Sequence, residues 1–127
     1  MIKRLLPALL MLPALVWAQP PDYQHAYSDC LERAGGATNG SVDACSSSVS
    51  ADAKAEMIRL YRGIYHDLAT DNPDDAAALD RAQKAWLVYR DLHCNLAGAH
   101  VGSPMYAFCP MQLNIRRVDE LRELAGQ

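Results

Sequence analysis

Ala82-Gln83-Lys84-Ala85-Trp86-Leu87-Val88-Tyr89-Arg90-Asp91-Leu92-His93-Cys94 is the stretch whose reading decides the fold. No glycine or proline interrupts the chain between Pro73 and Gly98. The spacing predicts a helix from Asp74 to about Ala97, with Asp74 and Asp75 at the positive end of its dipole. Leu79, Ala82, Ala85, Trp86, Val88, Tyr89, Leu92, His93 and Leu96 cover half of its surface. A face that wide usually touches two neighbouring helices. This helix is therefore expected to be the centre of a bundle, with Trp86 inward and Asp91 on the outer face. Gln83, Arg90 and Cys94 fall along the border. Arg90 is expected to pair with Asp119 or Glu120, and Gln83 with a backbone group, because interior polar residues normally hold partners.

Three more helices flank it. Tyr23, Ala26, Tyr27, Cys30, Leu31 and Ala34 share one face of a first helix from about Asp22 to Ala34, stopped by Gly35-Gly36. Ala37 to Ser41 reads as a turn. A second helix begins between Ser41 and Ser50 and is clear from Ala51 to Ala69. Met57, Leu60, Tyr61, Ile64, Tyr65 and Leu68 form its apolar arc, and Glu56, Arg59, Arg62 and His66 its polar one. Pro73 ends it. After a loop from Gly98 to Pro104, Met105 to Phe108 can form a helical turn, and Pro110 resets the chain and opens a last helix to about Ala125, where Met111, Ile115, Val118, Leu121 and Ala125 share a face. No run alternates like a half-buried strand, so the expected fold is all-α, a small bundle of about four helices.

The chain of 127 residues opens like an export signal. Lys3 and Arg4 precede an apolar run from Leu5 to Trp17, and Ala18 follows Val16-Trp17 as a cleavage position. The run falls short of the roughly 20 residues that span a bilayer, and Pro7 and Pro13 interrupt it. The reading is a signal peptide over 1–18 and one domain over 19–127, without stable membrane insertion after cleavage. The chain has 12 basic and 15 acidic residues, and two of the bases lie in the signal. The remainder is acidic, which disfavours nucleic acid and attracts basic partners.

All four cysteines, Cys30, Cys45, Cys94 and Cys109, lie in that remainder, and export implies two disulfides. Of three possible connectivities, Cys30–Cys45 and Cys94–Cys109 are expected, since each pair brackets a glycine-containing turn between helical runs. Closing a loop of about 15 residues stabilises by about 3 kcal/mol in the chain-entropy model. There is no Cys-x-x-Cys, hence no zinc ribbon or covalent haem, and no cofactor is expected. His25, His66, His93 and His100 form no pair at ligand spacing. The serines at 46–48 and 50 lack a nucleophile-elbow pattern. No catalytic residue is assigned.

At Ala82–Cys94 the chain resembles the LprI-like lysozyme-inhibitor domain, a small exported helical domain of bacteria. The family's Ala-Gln-Arg-Ala-Trp segment, Tyr-Arg-Asp and cysteine stand here as Ala82-Gln83-Lys84-Ala85-Trp86, Tyr89-Arg90-Asp91 and Cys94. Gly102-Ser103, Cys109, Arg117 and Leu121 fit its later pattern, while Asn114 replaces a threonine. The family's Asp-x-x-Leu-Asn-x-x-Tyr is here Lys54-x-x-Met57-Ile58-x-x-Tyr61, which marks a divergent member. The resemblance implies a non-enzymatic periplasmic or secreted inhibitor of a basic lysozyme-type hydrolase. Two alternatives stand beside it: a module for another envelope partner, and an enzyme acting on cell-wall material. Ala82, Gln83, Trp86, Tyr89, Arg90, Asp91 and Arg117 are expected to be scaffold. Gly35, Asn39, Gly40, Gly102 and Ser103, in turns held by the cystines, are the candidate partner-binding positions, since pre-ordered loops lose less entropy on association.

Overall fold

A computed structural model describes residues 18–126. The signal segment lies outside them except for Ala18. Four helices follow one another: α1 (Tyr23–Arg33), α2 (Asn39–Asp71), α3 (Pro73–His100) and α4 (Met105–Leu124). The described residues hold no strand. The all-α expectation holds, and both disulfides pair as expected, Cys30 with Cys45 and Cys94 with Cys109.

The helix ends follow from local chemistry. Asp22 caps α1 by accepting the His25 N–H. Thr38 caps α2 and Ser41 answers it, each side chain accepting the other's backbone N–H. This reciprocal cap starts α2 at Asn39, so Asn39, Gly40 and Ser41 form its first turn rather than a loop. Asn72 closes α2 and caps α3, with Pro73 in the first turn where its missing N–H costs nothing. Two helices are more continuous than the sequence suggests. Helix α3 passes through Gly98 to His100. Helix α4 begins at Met105 and carries Pro110 inside it. The proline forfeits one backbone bond there, and the adjacent Cys109 disulfide holds the segment in place.

The core is built chiefly on α2 and α4, which share the most extensive interface, while α3 lies across them and α1 covers the first half of α2. Val49, Ala53, Met57 and Leu60 of α2 meet Met111, Ile115, Val118 and Leu121 of α4, with Tyr23 from α1 and Leu79 from α3. Ala125, expected on the same face of α4, is exposed, as is Tyr65 of α2.

Helix α3 corrects the expectation most. It is not the bundle's centre, and its apolar arc does not face inward. Val88, Leu92 and Leu96 are 60%, 62% and 60% exposed. Ala82, Ala85, Tyr89 and His93 are exposed too. Of the expected arc only Leu79 is buried, with Trp86 half-buried. The buried side is Ala76, Leu79, Gln83, Cys94 and Gly98. The cause is covalent and polar. Cys94 must point at Cys109, and that fixes the rotation of α3 so that Leu87, Arg90, Ala97 and Gly98, on the same side of the helix, turn inward with it.

Candidate functional site

Of the family-motif residues, Gln83, Trp86 and Arg90 lie on the inner side of α3 and Arg117 faces them from α4, where polar groups lace three helices together, while Ala82, Tyr89 and Asp91 are exposed. Arg90 donates from Nη1 to Asn114 Oδ1 (3.0 Å), and Asn114 Nδ2 donates to Ser50 Oγ (2.9 Å), so α3, α4 and α2 join at one level. Arg117 Nε donates to Gln83 Oε1 at 2.9 Å. The guanidinium carbons of Arg90 and Arg117 lie 5.5 and 5.8 Å from the Trp86 ring centroid, within cation–π range. Trp86 packs against both apolar clusters, the main core and the smaller one around the Cys94–Cys109 bridge. The partners differ from those expected. Arg90 pairs with its neighbour Asp91 and with Asn114, not with Asp119 or Glu120, and Gln83 is held by a side chain rather than by backbone. Asp119 and Glu120 sit on α4 within reach of Arg122 and Arg117 instead.

The two cystine-braced turns come together at one end of the bundle. The helices run antiparallel in sequence, and the Ser50–Asn114–Arg90 chain marks a common level. Cys45, Cys109 and Cys94 each lie four or five residues beyond it in the same direction, about 7 Å along the axis. Past them come Gly35 and Gly36, with φ of 82° and 115°, and Gly102 with φ of 150°, backbone that only glycine adopts without strain. Gly35, Asn39, Gly40 and Ser103 are exposed and Gly102 half-exposed. Tyr106 stands beside them. A Cβ on Gly98 would come within 2.3 Å of its ring, so the absent side chain is what lets the ring lie on α3. Tyr106 remains 53% exposed. The end of the molecule thus offers two rigid turns, an exposed tyrosine and Val101, with the carboxylates of Glu32 and Asp43 exposed close by.

A groove of about 340 Å³ runs between α2 and α3. Lys54, Met57, Ile58 and Tyr61 line one wall, and Asp80, Gln83, Lys84 and Leu87 the other. Sequence reasoning did not find it. Its signal was present, because the family segment on α2 and the family segment on α3 turn out to be its two walls. Tyr61 Oη donates to Asp80 Oδ1 (3.0 Å) and Lys84 Nζ to Asp80 Oδ2 (2.7 Å). These bonds, the lysine's first, hold the Asp80 carboxyl below its usual range, while burial and Asp80 push the Tyr61 phenol up. Both groups are thus locked in their ordinary charge states at neutral pH.

The other perturbed groups are Tyr23, Glu56 and Arg122, which meet around Glu56, expected on the polar side of α2 but buried. Burial works to raise its carboxyl, but hydrogen bonds from Arg122 and Tyr23 overbalance that and hold it low. Arg122 Nε and Nη2 donate to its two oxygens at 3.1 and 2.9 Å, and Nη2 also donates to the Pro21 carbonyl (3.0 Å), anchoring the start of α1. A carboxylate so paired is a structural tie rather than a poised acid or base. No group of three or more His, Cys, Asp or Glu among the described residues is arranged to hold a metal ion. None of the helices described is long and apolar enough to cross a membrane.

Fold and site define a cystine-braced helical domain whose inner polar groups, the Ser46 hydroxyl apart, tie its own helices together, and whose two turns share one end. Comparison with known proteins makes this specific. The model of the family described as lysozyme inhibitor LprI matches residues 23–121, and the chain belongs to that family. An uncharacterized protein of Rhizobium meliloti (strain 1021) is 32% identical, over 93% of this chain and 92% of its own. No solved structure matches.

Proposed function

We propose that the protein is an exported inhibitor that binds a basic lysozyme-type peptidoglycan hydrolase and obstructs its substrate cleft. The family match over residues 23–121 carries this reading. Three features support it. Two disulfides fit an oxidising compartment, in keeping with a signal peptide over 1–18 and a periplasmic or secreted product. The acidic balance of 19–127 steers the protein toward a basic enzyme. The end formed by Gly35–Gly40, Gly102-Ser103 and Tyr106 is pre-ordered, so little entropy is lost when it docks. No step of bond making is required of this chain.

The test is a titration of c-type lysozyme activity at low salt with the wild type and with Tyr106→Ala. The wild type is expected to inhibit at micromolar concentration or below, and Tyr106→Ala to weaken inhibition by about tenfold or more, as truncation of an aromatic anchor does. Absence of inhibition by the wild type sinks the lysozyme reading. Equal inhibition by the two proteins moves the contact away from the cystine-braced end. A second reading has its own observation. Lys54 and Ile58 stand in the groove where the family carries Asp and Asn, which favours a different envelope partner for a protein that fails to inhibit lysozyme. Turnover of cell-wall material by the wild type would instead establish the enzyme alternative.

A further inference from the structure

The outer face of α3 carries a second pattern that the fold does not use. Ala78, Arg81, Ala85, Val88, Leu92, Asn95 and Ala99 recur at alternating steps of three and four, the spacing of a coiled-coil seam. All are exposed. Tyr89 and Leu96 extend the seam along one edge, with the His93 ring stacked on Tyr89. Lys84 and Asp91, 73% and 63% exposed, lie along the other edge. This side points directly away from the buried residues Gln83 and Cys94, so no other part of the described chain covers it. A row of three large aliphatic side chains, each about three-fifths exposed, is more than scattered surface apolarity.

We propose that this face pairs with the same face of a second copy, the two α3 helices running antiparallel. Charge decides the orientation. In an antiparallel pair each edge meets its own copy, so Lys84 of one protomer approaches Asp91 of its partner, and the twofold axis repeats the pair. In a parallel pair Lys84 approaches Tyr89, and no opposite charges meet. Each of the two groups already touches one neighbour, Lys84 the Asp80 carboxylate and Asp91 the Arg90 guanidinium, and each keeps most of its surface free for a second. Size agrees with charge. The register that joins Lys84 to Asp91 sets Leu92 between Arg81 and Ala85 of the partner, and Leu96 between Ala78 and Ala82. Leu96 thus meets two small side chains, while Leu92 meets one small side chain, Ala85, and the aliphatic stem of Arg81. The basic hydrolase of the proposed function fits this face poorly, because Arg81 and Lys84 stand on it. A single helix face of about 40 Å buries an area at the low end of specific interfaces, so the dimer is a reversible one.

Sedimentation velocity of the purified, oxidised protein over a concentration series tests this. The wild type is expected to pass from monomer to dimer between the low micromolar and several hundred micromolar range. Leu92→Glu is expected to remain monomeric throughout with unchanged circular dichroism and thermal midpoint, since the site is exposed. Lys84→Glu sets like charges against each other and is expected to weaken the dimer about tenfold at low salt. Lys54→Glu makes the same charge change away from the seam and leaves dimerisation unaltered. A wild type that stays monomeric, or a Leu92→Glu protein that still dimerises, overturns the interface. Lys84→Glu and Lys54→Glu proteins that dimerise equally well overturn the antiparallel arrangement.

Discussion

The two faces of α3 invert the usual rule. The inner face carries Gln83, Trp86, Arg90 and Cys94, two of them strongly polar, and it is the buried one. The outer face carries Ala85, Val88, Leu92 and Leu96, and it meets solvent. The inner face tolerates burial because its polar atoms are satisfied. Gln83 receives a bond from Arg117, and Arg90 reaches both Asn114 and Asp91. The comparison teaches that partners, not hydropathy alone, settle which side of an amphipathic helix goes inward. An apolar face left out of the core is then free to meet something else.

Substitutions on each side sharpen this contrast. Trp86→Ala should cost the most, about 3 kcal/mol or more, because the ring joins the two apolar clusters and lies under two guanidinium groups. Chemical denaturation measures it, and a loss below about 1 kcal/mol would mean that Trp86 does not bridge the clusters. Arg90→Ala leaves the buried Asn114 Oδ1 without its donor and should cost about 1–3 kcal/mol, read in the same experiment. A neutral Arg90→Ala would place that side chain in solvent.

The acid limb of stability gives a smaller, pH-dependent effect. The Glu56 carboxyl is held below its usual value in the folded protein. Its contribution is therefore fully present above the unfolded carboxylate value of about 4.3 and is lost as pH falls through the lower folded value. Thermal midpoints of wild type and Glu56→Gln should differ at pH 7 and converge as pH drops below about 4. A constant difference across that range would break the assignment. Least affected should be Leu92→Gln, within about 0.5 kcal/mol of wild type in the monomer, as for other exposed sites. A penalty near that of a core leucine, about 2 kcal/mol or more, would put Leu92 inside.

Much of this was legible from residues alone. The helix α1 up to its Gly35-Gly36 stop, the Pro73 junction, the apolar face of α4 and both disulfide pairs followed from periodicity, breakers and cysteine spacing. The rotation of α3 did not follow from periodicity, because its apolar residues occupy half the helix and leave the inward direction underdetermined. Cys94 held the missing information. Once it is tied to Cys109, Gln83, Arg90 and Ala97 must turn with it toward α4. The burial of Glu56 was hidden for a different reason. Its partners Tyr23 and Arg122 lie 33 and 66 residues away in sequence, and only the packing of α1 and α4 against α2 brings them together. The α2–α3 groove likewise joins two family segments, each legible in the sequence, whose facing one another follows only from the packing of α2 on α3.

The inversion of α3 can be tested directly by hydroxyl-radical footprinting of the wild type, read by peptide mass spectrometry at a dilution where sedimentation shows monomer. Val88, Leu92 and Leu96 should oxidise readily, while Leu79 on the same helix is protected to the degree of the buried Leu60 and Leu121. Protection of Leu92 and Leu96 with ready oxidation of Leu79 would contradict it.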